Sequence, residues 1–408
     1  PHVRKDLERQ HCDCAYFINT FRHDWTTLAA LVSPRPLLLH DSTEDSYYPP
    51  AGYHNVYEKA SQLYNLLGVP DKVGLVEVPG RHDYTQMERE KAVQWSNRWL
   101  KGIASHVLEQ PFEEVPGEQL AALGGMYADH PENINDRIQN LLIPTARLED
   151  YPDQASWMRK KAELIDKLES VVFRNQPAGR KGTKVAEAEN GAVVLETEPG
   201  IQVGVISYVP ESMGPRQKAA LYIASEGDTE DMGMWSFMKA YPYPDYAASR
   251  HMVFPRGLGR GIWNANLMRK YERNAMLVGR TLDDMRLYDV LCAVDYVAGL
   301  PSFDGTEFTL VGKGAQGVLA VYTALLDSRI TRVIVFDPPE THARGPIFLN
   351  VLRFTDTPQA MGMLAPQELV FLTDNIDNFD YTRKIYRLMG AEDQFRRAYT
   401  VPQALHRR

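Results

Sequence analysis

The sequence predicts an α/β fold built on a parallel sheet, and two observations carry this prediction. Short apolar runs alternate with amphipathic helices along much of the chain, and short connections join them. This alternation is typical of parallel α/β sheets, because each parallel strand needs a crossover before the next one. The same order of elements also occurs twice, once near each end of the 408 residues.

The first hundred residues show the clearest alternation. A buried-strand run, Leu37–Leu39, follows two prolines, and a polar loop predicted over residues 41–53 leads into a helix. That helix has one apolar stripe and ends at Gly68, where a left-handed C-terminal residue is expected. A second strand, Val73–Val78, comes next, and a further helix ends at Gly102. We therefore expect strand, helix, strand and helix in this order.

Residues 104–150 contain several prolines and show only weak hydrophobic periodicity, so we predict a linker there. We predict the C-terminal half of one domain over 1–103 and a second domain over 151–408. The second domain begins with a helix over 156–172 and a loop over 173–190. Its other predicted elements are helices that follow Thr281 and Gly314, and strands over 192–197, 202–209, 219–224, 308–311, 333–336 and 369–372.

An internal repeat links the two ends of the chain. Ser33–Leu39 aligns with Ala365–Phe371 at an offset of 332 residues, and Leu63–Gly68 aligns with Ile385–Gly390 at an offset of 322. Chance could match one apolar strand with another. It does not explain why a strand, the apolar stripe of a helix and a glycine at the end of that helix occur in the same order twice. We therefore interpret the two regions as copies of one α/β architecture with a common ancestor.

Composition and charge exclude several classes of protein. With 44% hydrophobic and 24% charged residues, the chain is neither disordered nor collagen-like. Its net charge of -8 argues against nucleic acid and anionic membrane surfaces as partners. No apolar run approaches the roughly 18 residues that cross a bilayer, so no membrane partner is expected. Three cysteines, Cys12, Cys14 and Cys292, cannot form a disulfide framework.

Two polar residues follow the first two predicted strands. Asp45 comes shortly after Leu39, and His82 comes shortly after Val78. Ligands and catalytic groups of open α/β sheets lie beyond the carboxyl ends of the strands, so we expect both side chains at one edge. A carboxylate that orients an imidazole makes it a general base for a hydroxyl nucleophile. The alternative is structural: Asp45 caps a turn and His82 packs on a loop.

The order of acid before histidine is that of the α/β-hydrolases, whose nucleophile comes earlier on a Gly-x-Ser-x-Gly turn. No serine or cysteine here has glycines both two residues before and two residues after it. The nearest match lies in the second copy, where Gly314 holds the nucleophile position two residues after Gly312. The spacing of these glycines is also compatible with a dinucleotide-binding loop. Their position late in the sheet argues against that alternative. Asp377 holds the acid position and Ala404 the histidine position, so the second copy is predicted to be inactive.

The run from His11 to Trp25, the run from Leu28 to Leu39, and Gly80–His82 resemble large bacterial α/β-hydrolases known as acetylxylan esterases or prolyl-oligopeptidase-like hydrolases. In that family a catalytic domain precedes a second, degenerate hydrolase domain. The resemblance implies Asp45 as triad acid and His82 as triad base. It also implies that the serine and the oxyanion-hole donors lie before Pro1, in a missing N-terminal half-domain. A half sheet alone would expose an unpaired strand edge.

The resemblance implies a serine-type carboxylic-ester hydrolase that needs no cofactor and acts on a polysaccharide or small ester, with acetylated xylan as the expected substrate. This chain alone is expected to be inactive. Two alternatives remain open: a peptidase of the prolyl-oligopeptidase type, and a non-catalytic carbohydrate-binding or interaction module. Family members are often exported, so an extracytoplasmic location rests on the resemblance alone.

Other residues are weaker candidates. Four residues could border the substrate cleft or instead form a loop network that supports the acid: Asn19, Arg22, Asp24 and Trp25. An aromatic-rich stretch could stack on sugar rings, although packing is the more frequent use of such residues; it comprises Trp235, Phe237, Tyr241, Tyr243, Tyr246, Phe254 and Trp263. Cys12 and Cys14 have no second pair of metal-ligating residues, so no metal site is expected.

Overall fold

The structure is a computed structural model that describes residues 17–120, 138–187, 192–209, 217–228, 248–259, 262–400 and 403–404. The chain divides into two compact units, Pro1–Leu141 and Leu142–Arg408, which we call unit 1 and unit 2. The division falls within the stretch that the sequence predicts as linker. Two short helical turns, Gly117–Leu120 and Ile138–Leu142, lie in this stretch.

Among its described residues, unit 1 contains two parallel strands and three helices of eight residues or more. Strand β1 (Leu37–Ser42) pairs with β2 (Val73–Val78) in register over all six residues. Helix α1 (Trp25–Val32) precedes β1, and α2 (Pro50–Leu66) connects the strands. Helix α3 (Gln86–Ser96) follows β2 and continues as a π-helical turn to Lys101. This is the predicted order of elements, and it forms because a parallel pair requires a crossover helix.

The core of unit 1 lies where α1 and α2 pack against the sheet. Val56, Ala60 and Tyr64 form one stripe of α2 and are buried with Ala29 and Val73. The helix begins at Pro50, inside the stretch predicted to be a loop, because proline is well suited to the first turn. Its end is as predicted, since Gly68 has a left-handed φ of 72°.

Unit 2 is built on a nine-stranded sheet with the order β11-β10-β9-β8-β6-β7-β5-β4-β3. Its neighbours are parallel from β11 to β7, and β5, β4 and β3 extend the sheet in antiparallel fashion. The strands are β3 (Thr183–Glu187), β4 (Val193–Glu198), β5 (Ile201–Tyr208), β6 (Gln217–Ile223), β7 (Ala248–Phe254), β8 (Phe303–Lys313), β9 (Arg332–Phe336), β10 (Glu368–Leu372) and β11 (Phe395–Arg397).

Apolar clusters lie on both faces of this sheet, because buried parallel strands present apolar side chains on alternate sides. On β9, for example, Val333 and Val335 belong to the cluster on one face and Ile334 to the cluster on the other. The helices of unit 2 are α4 (Gln154–Lys167), α5 (Ala265–Leu277), α6 (Leu282–Ala298), α7 (Ala315–Leu326), α8 (Thr357–Gly362) and α9 (Asp380–Leu388). No helix in the described part of the chain is long and apolar enough to cross a membrane.

Five of the labelled elements of unit 2 were not predicted from the sequence: β3, β7, β11, α5 and α8. The loop prediction over 173–190 is wrong at β3, whose five residues are all exposed and show no apolar alternation. Strand β7 was missed because it contains Ser249, Arg250 and His251, all of which are buried. His251 is hydrogen-bonded to Ser207 at 2.8 Å and to Ser249 at 3.0 Å, and such pairing is not visible in the sequence.

The internal repeat is present in three dimensions. The series α1, β1, α2, β2 of unit 1 corresponds to α8, β10, α9, β11 of unit 2, with parallel pairing in both. A buried tyrosine on the crossover helix donates to the backbone before the first strand in each copy. Tyr64 donates to the carbonyl of Arg35 at 2.6 Å, and Tyr386 donates to that of Gln367 at 2.8 Å. Tyr64 aligns with Tyr386 and Arg35 with Gln367 at the two offsets of the sequence repeat.

The two copies differ at one edge of the sheet. In unit 2, β10 lies between β11 and β9, and β9 in turn pairs with β8. In unit 1, β1 pairs with β2, and the described residues contain no strand on its other side. The outer edge of β1 therefore corresponds to the edge of β10 that β9 occupies.

Candidate active site

Asp45 and His82 meet at the carboxyl edge of the two strands of unit 1. The loops after β1 and β2 run side by side, since Thr43 donates to the carbonyl of Val78 at 2.9 Å and Glu44 to that of Gly80 at 2.8 Å. Within this arrangement, Nδ1 of His82 lies 2.7 Å from Oδ2 of Asp45. The structure thus brings the two predicted catalytic residues into direct contact.

The second carboxylate oxygen of Asp45 is held by the backbone. The N–H groups of Tyr47 and Tyr48 donate to Oδ1 at 2.6 and 3.1 Å. This is the local turn that an aspartate forms with the residues just after it. The carboxylate therefore has a fixed orientation toward the imidazole.

Burial and hydrogen bonding act in opposite directions on Asp45. Its side chain is only 5% exposed, and this burial alone raises the pKa of the carboxyl. The hydrogen bonds from His82, Tyr47 and Tyr48 outweigh burial, so the pKa of Asp45 lies below its usual value. Asp45 is therefore a carboxylate at neutral pH, the form that orients and stabilises an imidazolium.

The orientation of His82 suits a general base. When Nδ1–H donates to Asp45, the lone pair of the neutral ring lies on Nε2. The side chain is 41% exposed, so the ring is accessible from solvent. Two tyrosine rings flank it, with centroids at 5.0 Å for Tyr47 and 5.9 Å for Tyr48. The ring can accept a proton from a hydroxyl and return it to a leaving group.

A cavity of about 500 Å³ lies beside this pair. Its wall is largely apolar and comes from α1, β1 and α2, with Tyr48 shared between the cavity and the ring of His82. The lining residues are Trp25, Leu28, Ala29, Val32, Leu37, Leu38, Leu39, His40, Asp41, Tyr48, Tyr53 and Val56. Small-molecule sites are typically cavities of this size with a few polar groups in an apolar wall.

Asp41 is a half-buried carboxyl in the wall of this cavity. Burial, followed by the nearby charges of Asp45 and Glu88, raises its pKa from 3.8 to about 7. Asp41 was not among the candidate residues predicted from the sequence. Its position in the second half of an apolar strand was the available signal, since a charged residue there must be paired or shifted in pKa.

Replacing Asp41 with Asn should stabilise unit 1 above pH 7 and have little effect at pH 4. An unfolded aspartate releases its proton near pH 4, whereas this folded carboxyl releases it near pH 7. The free energy of unfolding therefore falls as pH rises through that window, and the amide removes the loss. We expect the melting temperature at pH 8 to rise by about 2–4 °C. Glu58→Gln, at an exposed position of α2, is the control. Equal melting temperatures of Asp41→Asn and wild type at pH 8 would contradict the raised pKa of Asp41.

The four predicted substrate-binding residues have different surroundings. The Trp25 side chain lines the cavity, whereas Asp24 caps helix α1 by accepting from the N–H of Thr27 at 3.0 Å. Asn19 closes a loop through two hydrogen bonds with the backbone of His23, at 2.7 and 2.8 Å. Arg22 is exposed and has a left-handed φ of 56°. Of the four, Trp25 is therefore the best placed to contact a ligand.

The second copy retains the turn of a nucleophile elbow without a hydroxyl. Gly314 lies between β8 and α7 with φ 57° and ψ -127°, a conformation that is strained for residues other than glycine. A Cβ atom at Gly314 would have no neighbour within 4 Å, whereas one at Gly312 would collide with the backbone carbonyl of Gln316. The strand therefore requires glycine at position 312, and position 314 is open.

The acid and histidine positions of the second copy are not assembled. The Asp377 side chain is 87% exposed and lies 3.7 Å from Arg383. Ala404 is buried, and its carbonyl accepts a hydrogen bond from Arg332. His342, which follows β9, is buried. Its Nε2 is hydrogen-bonded to the hydroxyl of Tyr322 at 2.8 Å. His406, which follows Ala404 by two residues in the sequence, lies outside the described residues.

The remaining candidates do not form a site in the described residues. Cys12 and Cys14 lie outside them, and Cys292 is a buried free thiol. No group of three metal-ligating side chains occurs in the part of the chain that the structure describes. Of the aromatic stretch, Phe254 is buried in β7 and the Trp263 ring packs on Tyr271 at 4.5 Å. The others, Trp235, Phe237, Tyr241, Tyr243 and Tyr246, are outside the described residues.

Comparison with known proteins gives one curated relative and a series of solved structures. No family model matches the chain. The 4-O-methyl-glucuronoyl methylesterase 1 of Wolfiporia cocos is 36% identical over 67 residues, which are 16% of this chain and 16% of that protein. The matched segment thus spans about a sixth of the relative's length.

Two solved structures illustrate the likeness in fold. One is a glucuronoyl esterase of carbohydrate esterase family 15 from Caldicellulosiruptor kristjansonii. Its sequence is 13% identical, its TM-score is 0.44, and the match covers 65% of this chain and 91% of that chain. Acetyl xylan esterase 1 from Thermoanaerobacterium sp. JW/SL YS485 is 12% identical with a TM-score of 0.37, over 61% and 87%. These identities are too low to transfer a substrate. The strand order of unit 2 and its strand-turn-helix elbow are those of the α/β-hydrolase fold.

Proposed function

We propose that this chain carries the acid and the base of a carboxylic-ester hydrolase that acts on sugar esters. The observation that carries the proposal is the 2.7 Å contact between His82 and the buried Asp45 at the carboxyl edge of two parallel strands. The glucuronoyl and acetyl xylan esterases among the similar proteins agree with this chemistry.

In the proposed mechanism a serine hydroxyl attacks the ester carbonyl while Nε2 of His82 takes its proton. Asp45 stabilises the resulting imidazolium through the Nδ1–H hydrogen bond. The tetrahedral intermediate then expels the alcohol oxygen, which receives the proton from His82, and an acyl-enzyme remains. Water attacks the acyl-enzyme by the same route and releases the acid, which regenerates the serine.

We propose that the serine reaches His82 from strands that extend the sheet beyond the outer edge of β1. In the second copy, β9 pairs with the corresponding edge and β8, which leads into the elbow at Gly314, pairs with β9. No serine of this chain has the glycine spacing of such an elbow. The hydroxyl would therefore come from a segment other than these 408 residues, and the chain alone would be inactive.

The proposed substrate is an acetylated, xylan-like polysaccharide. Two partly exposed aromatic side chains in the cavity wall, Trp25 and Tyr48, provide surfaces on which a sugar ring can stack. Unit 2 would serve as a scaffold or as a carbohydrate-binding module, because its elbow has no hydroxyl and Asp377 points to solvent beside Arg383.

The matched aspartates of the repeat test this proposal. The assay uses these residues joined to the segment that supplies the strands, with p-nitrophenyl acetate and acetylated xylan as substrates. We expect Asp45→Asn to lower kcat/KM by about 10³-fold or more, because an amide favours the wrong histidine tautomer. Asp377→Asn should leave kcat/KM unchanged. Equal losses in the two variants would contradict the assignment of the acid.

A further inference from the structure

Two consecutive tyrosines, Tyr47 and Tyr48, contact both members of the proposed acid–base pair. Their backbone N–H groups donate to Oδ1 of Asp45, at 2.6 and 3.1 Å. Their rings contact the imidazole of His82. The Tyr47 ring has its centroid at 5.0 Å and its plane at 60° to the imidazole, and the Tyr48 ring is stacked at 5.9 Å and 29°. The same dipeptide therefore holds the acid through its backbone and the base through its side chains.

The hydrogen bond to Asp45 does not by itself fix the plane of the imidazole. His82 lies on the loop between β2 and α3, and its side chain is 41% exposed. A ring held at one nitrogen can turn about the line from Nδ1 to Oδ2 of Asp45, and it can also leave the carboxylate for solvent. Ring contacts at two different angles restrict both movements. Aromatic contacts of this kind favour the bound orientation by roughly two- to tenfold each.

The second copy of the repeat has different residues at these two positions. The tyrosines of unit 1 are half-buried and lie outside its apolar cluster. At the offset of 332 residues that aligns the two acid positions, Phe379 and Asp380 replace them. The Phe379 ring is buried against that of Phe371 at 4.9 Å. Asp380 forms an ion pair with Arg383 at 2.9 Å. Of the two copies, only the one that assembles an acid and a histidine has partly exposed rings at these positions.

We propose that Tyr47 and Tyr48 are positioning residues, whose rings hold the imidazole of His82 in the orientation that presents Nε2 to a hydroxyl. This inference rests on the proposed function and deepens it by naming side chains that act through the base. The hydrogen bonds to Asp45 come from the backbone, so a change of either side chain leaves them in place. Since the rings make the contact, phenylalanine should replace either tyrosine, whereas leucine should not.

The test uses the 408-residue chain labelled with ¹⁵N-histidine. Long-range ¹H–¹⁵N NMR spectra at about pH 8.5 identify which ring nitrogen carries the proton in the neutral imidazole, and His82→Gln assigns the signals. In the wild type, Nδ1 should carry the proton, because it donates to Asp45. In the Tyr47→Leu, Tyr48→Leu double variant, the ratio of the Nδ1–H to the Nε2–H tautomer should fall about fivefold or more, because a ring that leaves Asp45 adopts the Nε2–H form preferred in water. The matched Tyr47→Phe, Tyr48→Phe variant should retain the wild-type ratio.

A wild-type ratio in the leucine variant would overturn the proposal, because the hydrogen bond to Asp45 alone would then hold the imidazole. A reduced ratio in the phenylalanine variant would also overturn it, since the hydroxyl groups and not the rings would be responsible. Both results leave the proposed function standing. A wild-type His82 that lacks the Nδ1–H tautomer would instead refute the acid–base pair, and the proposed function with it. Melting curves establish that the double variants are folded, and the single leucine variants replace them if they are not.

Discussion

Replacing His82 with alanine is expected to lower kcat/KM for ester hydrolysis by about 10⁴-fold or more in the protein that contains the serine. His82 is the only group that the proposed mechanism gives for moving the proton between serine, leaving group and water. Loss of a triad base leaves only the catalysis from substrate binding and oxyanion stabilisation. The measurement is steady-state hydrolysis of p-nitrophenyl acetate.

The control for His82→Ala is His106→Ala in the same unit, because His106 is exposed and lies outside the cavity wall. It should hydrolyse the ester at the wild-type rate. A His82→Ala variant that is folded and retains more than about a tenth of the activity would show that another group is the base.

The second large effect concerns the elbow of unit 2. Gly312→Ala should destabilise this unit by about 4 kcal/mol, because its Cβ would collide with the backbone of Gln316 and Gly317, which cannot move away as a flexible side chain can. Gly314→Ala is the matched control. It has open space around the new methyl group and should cost only the backbone strain, about 1–2 kcal/mol.

Urea unfolding monitored by far-UV circular dichroism measures both glycine variants. The larger loss in Gly312→Ala would show that the tight turn after β8 is a structural requirement of the second copy, independent of catalysis. Equal losses in the two variants would contradict the close approach between Gly312 and Gln316.

The sequence alone was sufficient to predict the strands and loops that hold the candidate acid and base. Short loops after two apolar strands placed Asp45 and His82 at one edge, and the parallel register of β1 and β2 brings them together. The turn at Gly314 was also predictable, because glycine spacing after a strand limits the backbone there. Local patterns of this kind do not depend on distant contacts.

Other features depend on contacts between distant residues. Strand β7 has buried polar residues whose partners lie on other strands, as with His251 and Ser207. The exposure of Asp377 follows from how its short helical turn is oriented, which the alignment with Asp45 does not reveal. The raised pKa of Asp41 likewise arises first from burial in the folded unit, and then from the charges of Asp45 and of Glu88, which is 47 residues away in the sequence.

The central claim is that this chain holds an acid and a base whose nucleophile comes from another segment. The most direct test is hydrolysis of p-nitrophenyl acetate by the purified 408-residue chain, compared with its His82→Ala variant. The claim predicts that the two proteins show the same background rate. Turnover by the chain that His82→Ala abolishes would contradict it, because the attacking hydroxyl would then lie within these residues.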